Sequence, residues 1–206
     1  MHTNRSVYTT MDNTREFIID EAFKLFLNRS YEAVSISDIS KAIGFTKGAL
    51  YHHFKNKEEL FKSVVDRYLF IHEVVVDIDT ISLVDYIDKS LAQSEKVMKT
   101  LFGFTQVFIP IDYISLFTDA YRHYPGYAEL KHIFIDNEIK KTITVIENAI
   151  KSGEIRADVD PRLMATIFYS IHMGLAGNLL RSHSVDDAMS LVKNQTYEFY
   201  KLLKKL

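Results

Sequence analysis

Two lysines stand where helix electrostatics would not place them. Lys47 follows Thr46 and Lys57 follows Asn56, so each reads as the first residue of a helix behind an N-cap. A cation in the first turn opposes the helix macrodipole and costs roughly 0.3 kcal/mol or more. An anion at each position reverses that sign, because free helix amides bind phosphate and a neighbouring lysine adds a charge-assisted contact. The bland alternative is a pair of solvated surface lysines.

The remaining reactive side chains form no comparable arrangement. Of the 8 histidines, His52 and His53 are adjacent, point in different directions on a helix and cannot share an ion. His132 and Asp136 have i, i+4 spacing and could supply two metal ligands, with no third in view. His172 lies in an apolar segment, either as a hydrogen-bonded core residue or as a ligand group. No Gly-rich phosphate loop, nucleophile elbow or HExxH pattern occurs. The absence of cysteine removes disulfides, thiolate metal sites and cysteine nucleophiles together. No enzyme activity, metal or cofactor is expected.

The elements around the lysines are more informative. Ser35 and Asp38 make a capping box, and Ile36, Ile39 and Ile43 follow as one apolar stripe. Gly44 then supplies a residue able to take positive φ, and Thr46 opens a second short helix with Leu50 and Phe54 inward. Two short helices joined by a glycine turn predict a helix-turn-helix, whose second helix enters the DNA major groove. Phosphate contacts are expected from Thr46, Lys47, Tyr51, His52 and Lys57, and base-edge approach at Lys47, Gly48, Ala49 and His52. Ser35 completes the candidate DNA-binding set. Ile36, Ile39, Leu50 and Phe54 are expected to be structural.

The run from Thr46 through Gly48, Ala49, Leu50, Tyr51, His52, His53 and Phe54 to Lys57, Glu58, Glu59, Leu60 and Phe61 resembles the signature of the TetR family of bacterial transcriptional regulators. Ile18 to Phe26 resembles that family's first helix, with Ala22 and Phe26 at its usual core positions. The resemblance covers roughly the first third of the chain. Ser30 departs from it, since the family commonly has glycine before the aromatic that is Tyr31 here; a positive φ at that position would cost serine about 1 kcal/mol. The resemblance implies dimerisation through the last two long helices and an inducer site in the C-terminal domain.

Composition fits a globular protein of 206 residues: 47% hydrophobic, with 14 Phe, 12 Tyr and no Trp. Unbroken apolar runs fall short of the roughly 18 residues a membrane span needs, and residues 1–11 are polar, with only Arg5 charged, and lack the apolar core expected of a signal peptide. No membrane association is expected, and a cytoplasmic location is. Net charge is −2, divided as +2 through Lys57 and −4 beyond it. DNA affinity must therefore come from a local basic face and from binding in pairs.

Almost every segment reads as helix, giving an all-α fold of about nine helices. Residues 1–11 are expected to be a flexible arm, 12–58 the helix-turn-helix DNA-binding domain with its motif at 35–54, and 59–206 a larger helical effector-binding and dimerisation domain. A fourth helix is expected from Lys57 to about Val76, carrying the domain boundary within it. An eighth, from Pro161 to near Arg181, is apolar around much of its circumference and interspersed with Ala165, Gly174, Ala176 and Gly177, so it should be buried on more than one side. From Glu73 to Asp88 there are acids and no Lys or Arg, a solvated edge or a bias toward neutral or cationic ligands.

Phe and Tyr are frequent after residue 67, which suits either a packed core or an apolar pocket edged with phenols. Candidate pocket residues are Tyr68, Phe102, Tyr113, Phe117, Phe134, Asn137, Phe168 and His172. Arg122, Lys131 and Arg156 would serve an anion if they turned inward. The expected function is a homodimeric repressor that binds double-stranded DNA at a palindromic operator and is released by a small-molecule effector. Release would reorient the fourth helix and shift the half-sites away from a multiple of about 34 Å. The alternative is a DNA-binding adaptor whose C-terminal domain binds a protein and no small molecule.

Overall fold

The computed structural model describes residues 11–70, 74–103 and 110–204. The arm expected at 1–11 and Glu73 of the acidic run lie outside them, apart from Met11, which opens the first helix. Among the described residues there are ten helices: α1 (Met11–Asn28), α2 (Ile36–Ile43), α3 (Lys47–His53), α4 (Lys57–Leu69), α5 (Leu83–Gly103), α6 (Pro110–His123), α7 (Tyr127–Ser152), α8 (Pro161–Met173), α9 (Leu175–Arg181) and α10 (Val185–Leu203). The all-α fold is as the periodicity predicts.

The chain divides into two compact units, and the division does not fall at residue 58. The first unit holds α1 to α4 together with α6, through Tyr127; the second holds α5 and α7 to α10. In the first, Ile18, Ala22, Phe23 and Phe26 of α1 are buried with Leu60, Phe61, Val64 and Tyr68 of α4. Phe26 meets Phe61 edge-on at 5.0 Å, and Phe23 stacks on Tyr68 at 3.8 Å. Such ring pairs add to simple burial. Helix α4 stops at Leu69 instead of Val76, and Val74 to Val76 are non-helical. Three consecutive valines have low helix propensity, because each loses side-chain freedom against the preceding turn.

In the second unit, Leu83, Ile87 and Leu91 of α5, Val145 and Ile146 of α7, Phe168 of α8, and Val192 and Tyr200 of α10 share one core. Glu154, in the turn after α7, caps α5 from far along the chain: its carboxylate accepts from the amides of Leu83 at 2.8 Å and Val84 at 2.9 Å, and from the Tyr200 hydroxyl at 2.9 Å. The expected eighth helix is broken in two at Gly174. The interruption is local: Gly174 keeps right-handed helical dihedrals and its amide still donates to the Ser170 carbonyl at 2.9 Å, while a Cβ there would lie a tight 3.0 Å from the carbonyl oxygen of Ile171. Averaged over 18 residues, Pro161–Arg181 is long and apolar enough to cross a membrane, which counting unbroken runs did not reveal. Only 28% of that window is buried, so the burial expected on several sides is not found within one chain.

Candidate nucleic-acid interface

The motif begins with reciprocal capping. The Ser35 hydroxyl accepts from the Asp38 amide at 3.1 Å, and the Asp38 carboxylate accepts from the Ser35 amide at 2.9 Å. The same hydroxyl donates to that carboxylate at 2.6 Å. These hydrogen bonds hold the Asp38 carboxyl below its ordinary range. The Ser35 hydroxyl is thus engaged in capping α2, with its one proton directed to Asp38. Gly44 follows at φ 71°, the left-handed conformation the turn needs.

Helix α3 starts at Thr46, whose hydroxyl accepts from the Ala49 amide at 3.2 Å. Leu50 and the following Phe54 are buried, fixing the inward side. Lys47, Gly48, Ala49, Tyr51 and His52 are exposed, so the structure brings five of the predicted contacts together on one short helix. A Cβ at Gly48 would meet only the Thr46 hydroxyl oxygen, at 3.9 Å. Internal packing therefore does not require glycine at 48. The His52 and His53 rings are 5.5 Å apart and nearly perpendicular.

Lys57 departs from expectation. Its ammonium donates to the Tyr31 carbonyl at 3.0 Å and sits 3.9 Å above the Tyr31 ring. A cation over a ring and bonded to a carbonyl is already partnered, so a phosphate would have to compete with Tyr31 for Lys57. Lys41 and Lys55, for which no contact is expected from the sequence, are also exposed beside the motif. Lys41 lies in the last turn of α2, between Ile39 and Ile43, and Lys55 precedes the Asn56 cap, so neither occupies the first turn of a helix. Asn56 caps α4 through the Glu59 amide at 2.8 Å, but the Glu59 carboxylate returns to the Lys55 amide, also at 2.8 Å, one residue earlier than a capping box predicts.

Tyr31, in the turn between α1 and α2, ties the motif to α6. Its amide donates to the buried Asp119 carboxylate at 2.7 Å. Its ring stacks on His123 at 4.3 Å, and His123 lies 3.7 Å from the Glu32 carboxylate. Tyr124, just beyond, donates to Asp66 of α4 at 2.9 Å. Helix α6 is thus anchored to the turn before α2 and to α4 within one compact unit.

The predicted pocket residues divide between the units: Tyr68, Tyr113 and Phe117 in the first, and Phe102, Phe134, Asn137, Phe168 and His172 in the second. Tyr68 is corrected to a packing residue, since its ring lies on Phe23 and its hydroxyl donates to Asp20 at 2.6 Å. Burial pushes the half-buried Tyr113 phenol up to about 12. Phe117 stands edge-on to Tyr121 at 5.2 Å. Phe102 is buried at the end of α5, and Phe168 meets Phe199 at 4.9 Å within the core. Asn137 is exposed, so it is corrected as an inward residue; it falls outside the inward stripe of α7. Phe134 lies 4.9 Å beneath the ammonium of Lys131, which is buried, and burial lowers that pKa to about 8. His172 Nδ1 lies 3.0 Å from the Phe168 carbonyl, and its buried Nε2 meets no partner among the described residues. Burial lowers its pKa, so the ring is neutral and Nδ1 carries the proton.

Residues 18–64 match the family model described as bacterial regulatory proteins, tetR family. The HTH-type transcriptional repressor ComR of Escherichia coli strain K12 is 46% identical over 27% of this chain and 26% of its own length. The chain's match thus spans about a quarter of the length of such curated relatives. The HTH-type transcriptional repressor KstR2 of Rhodococcus jostii strain RHA1 is similar over more of the chain, 24% identical across 72% of it and 71% of the relative. The solved structure of PfmR from Thermus thermophilus, a TetR family transcriptional regulator, superposes with TM-score 0.65 at 20% identity, covering 89% of this chain and 97% of that one.

Proposed function

The chain belongs to the TetR family of bacterial regulatory proteins, and from that premise we propose that it is a DNA-binding transcriptional repressor released from a palindromic operator by a small-molecule effector. The observation that carries the DNA-binding part is α3: a helix fixed by Thr46, Leu50 and Phe54, with Lys47, Gly48, Ala49, Tyr51 and His52 all facing out. Lys47 and His52 supply donors for phosphate and base edges, while Gly48 and Ala49 let the backbone approach them closely. Work on DNA implies a cytoplasmic location. Duplexes selected from a random pool by the intact protein should share a two-fold symmetric sequence. Lys47→Ala should lower the salt slope of binding by about two, one phosphate contact per subunit. A pool that yields no common sequence would end this reading.

A second copy of the chain is the partner the second unit calls for. Leu163, Met173 and Leu180 of the apolar α8–α9 segment are half exposed, and Leu202 of α10 is 72% exposed. Where such residues adjoin as one apolar patch, they mark a surface for a partner. Effector release is supported by α6, whose Asp119 and His123 hold the turn ahead of α2. A ligand that displaced α6 would disturb the motif through those contacts, provided it bound the displaced state better. The adaptor reading is kept in view by Leu130 and Ile133, exposed one turn apart on α7, which could receive a protein instead.

A further inference from the structure

Tyr127 opens α7 and is 1% exposed, yet its hydroxyl has no hydrogen-bond partner among the described residues. Its ring is surrounded by aromatics of the same compact unit: Phe70 at 5.4 Å, Phe117 at 6.1 Å and Tyr121 at 4.9 Å, each close to perpendicular to it, and Tyr124 at 5.7 Å. The other phenols are provided for differently. Tyr124 donates to Asp66, and Tyr121 is half exposed. A buried hydroxyl without a partner destabilises the fold, and phenylalanine would fill the same volume without that penalty. We propose that the Tyr127 hydroxyl is the polar anchor of the effector site, and that the effector is a neutral, largely aromatic molecule offering one hydrogen-bond acceptor.

This rests on the reading of the protein as an effector-released regulator and specifies the chemistry of that site. Acceptor, because a phenol is a stronger donor than acceptor, and burial beside the phenols of Tyr121, Tyr113 and Tyr124 keeps the proton on oxygen. Neutral, because the rings around it supply no opposite charge, and a bare ion among rings is poorly solvated. Aromatic, because edge-to-face geometry with Phe70, Phe117 and Tyr121 is what a further ring could join or replace. The location is also informative. Phe117 and Tyr121 lie on α6, the helix whose Asp119 and His123 hold the Tyr31 turn, so a ligand here presses on the element tied to the motif.

Acetophenone and ethylbenzene form a matched pair of probes, differing in a carbonyl against a methylene. Acetophenone should bind the intact protein saturably and raise its melting temperature, and Tyr127→Phe should weaken that binding about fivefold or more. Ethylbenzene should bind both proteins alike, which shows that the variant keeps its site. Equal acetophenone affinity in the two proteins, or no saturable binding to the wild type, overturns the assignment. Acetophenone should also loosen wild-type protein from its selected duplex and Tyr127→Phe protein less so. Binding that depends on Tyr127 with no change in duplex affinity would leave the ligand site standing and remove the effector-released reading instead.

Discussion

Helix α3 and the α8–α9 segment both turn residues outward, and they differ in what they expose. On α3 the outward set is small, polar or cationic, behind one capped end and two buried anchors. On α8–α9 it is Leu163, Met173 and Leu180, with a break at Gly174 that no side chain caps. A solvated anion suits the first surface and another apolar surface suits the second. Gly48 and Gly177 mark the contrast, since neither is demanded by contacts within its own chain: a Cβ at 48 meets one distant oxygen, and at 177 nothing within 4 Å. Each is thus a place where a side chain would trouble a partner more than the fold.

The largest effect should come from Gly177→Leu. Because its own chain leaves the space open, the variant should still fold and melt cooperatively, its melting temperature falling only by what loss of the partner removes. Sedimentation should nevertheless show monomers at concentrations where wild type is dimeric. Without paired half-sites, affinity for the selected duplex should fall by about a hundredfold or more. A wild type that is monomeric at micromolar concentration would break the contrast outright, leaving the exposed leucines to a different partner.

The two surfaces were also unequally legible in the sequence. The caps expected at Ser35, Thr46 and Asn56 all form, because an N-cap depends on residues within one turn of it. The exposure of Lys47, Gly48, Ala49, Tyr51 and His52 followed from the same local periodicity. What escaped was set by distant partners. Lys57 has the local signature of Lys47, but Tyr31, from the turn before α2, claims its ammonium. Glu154 caps α5 across a separation that no local pattern encodes. Tyr127 was missed because a buried phenol resembles any other until its neighbours are known. The break at Gly174 hid inside an unbroken apolar pattern, since apolarity records burial or assembly without distinguishing the two.

Lys47 and Lys57 give a sharper test of that lesson at smaller amplitude. Lys57→Ala removes a half-buried cation over a ring and one hydrogen bond, for a stability loss of about 1 kcal/mol. Its salt slope on DNA should match wild type, in contrast to the drop of about two for Lys47→Ala. If both variants lower the slope equally, Lys57 leaves Tyr31 for a phosphate on binding, and the two lysines are equivalent after all.

The smallest effect belongs to the capping box ahead of α2, and its sign follows from hydrogen bonding. Asp38 has a folded pKa below its ordinary value of 3.8, chiefly because the Ser35 hydroxyl and then the Ser35 amide donate to its ionised carboxylate. A depressed carboxyl binds fewer protons folded than unfolded. Its contribution to stability is therefore complete above the unfolded pKa and fades as pH falls through the folded one. Thermal melts of wild type and Asp38→Asn should differ most at neutral pH and converge as pH drops below about 4. The side chain is solvent-exposed, so the gap should be small and should narrow further in high salt, where the Arg29 and Lys41 charges that assist the carboxylate are screened. A gap that widens toward acid would mean that protonated Asp38 holds α2 better than the carboxylate does, and the box would have to be rebuilt around a different donor.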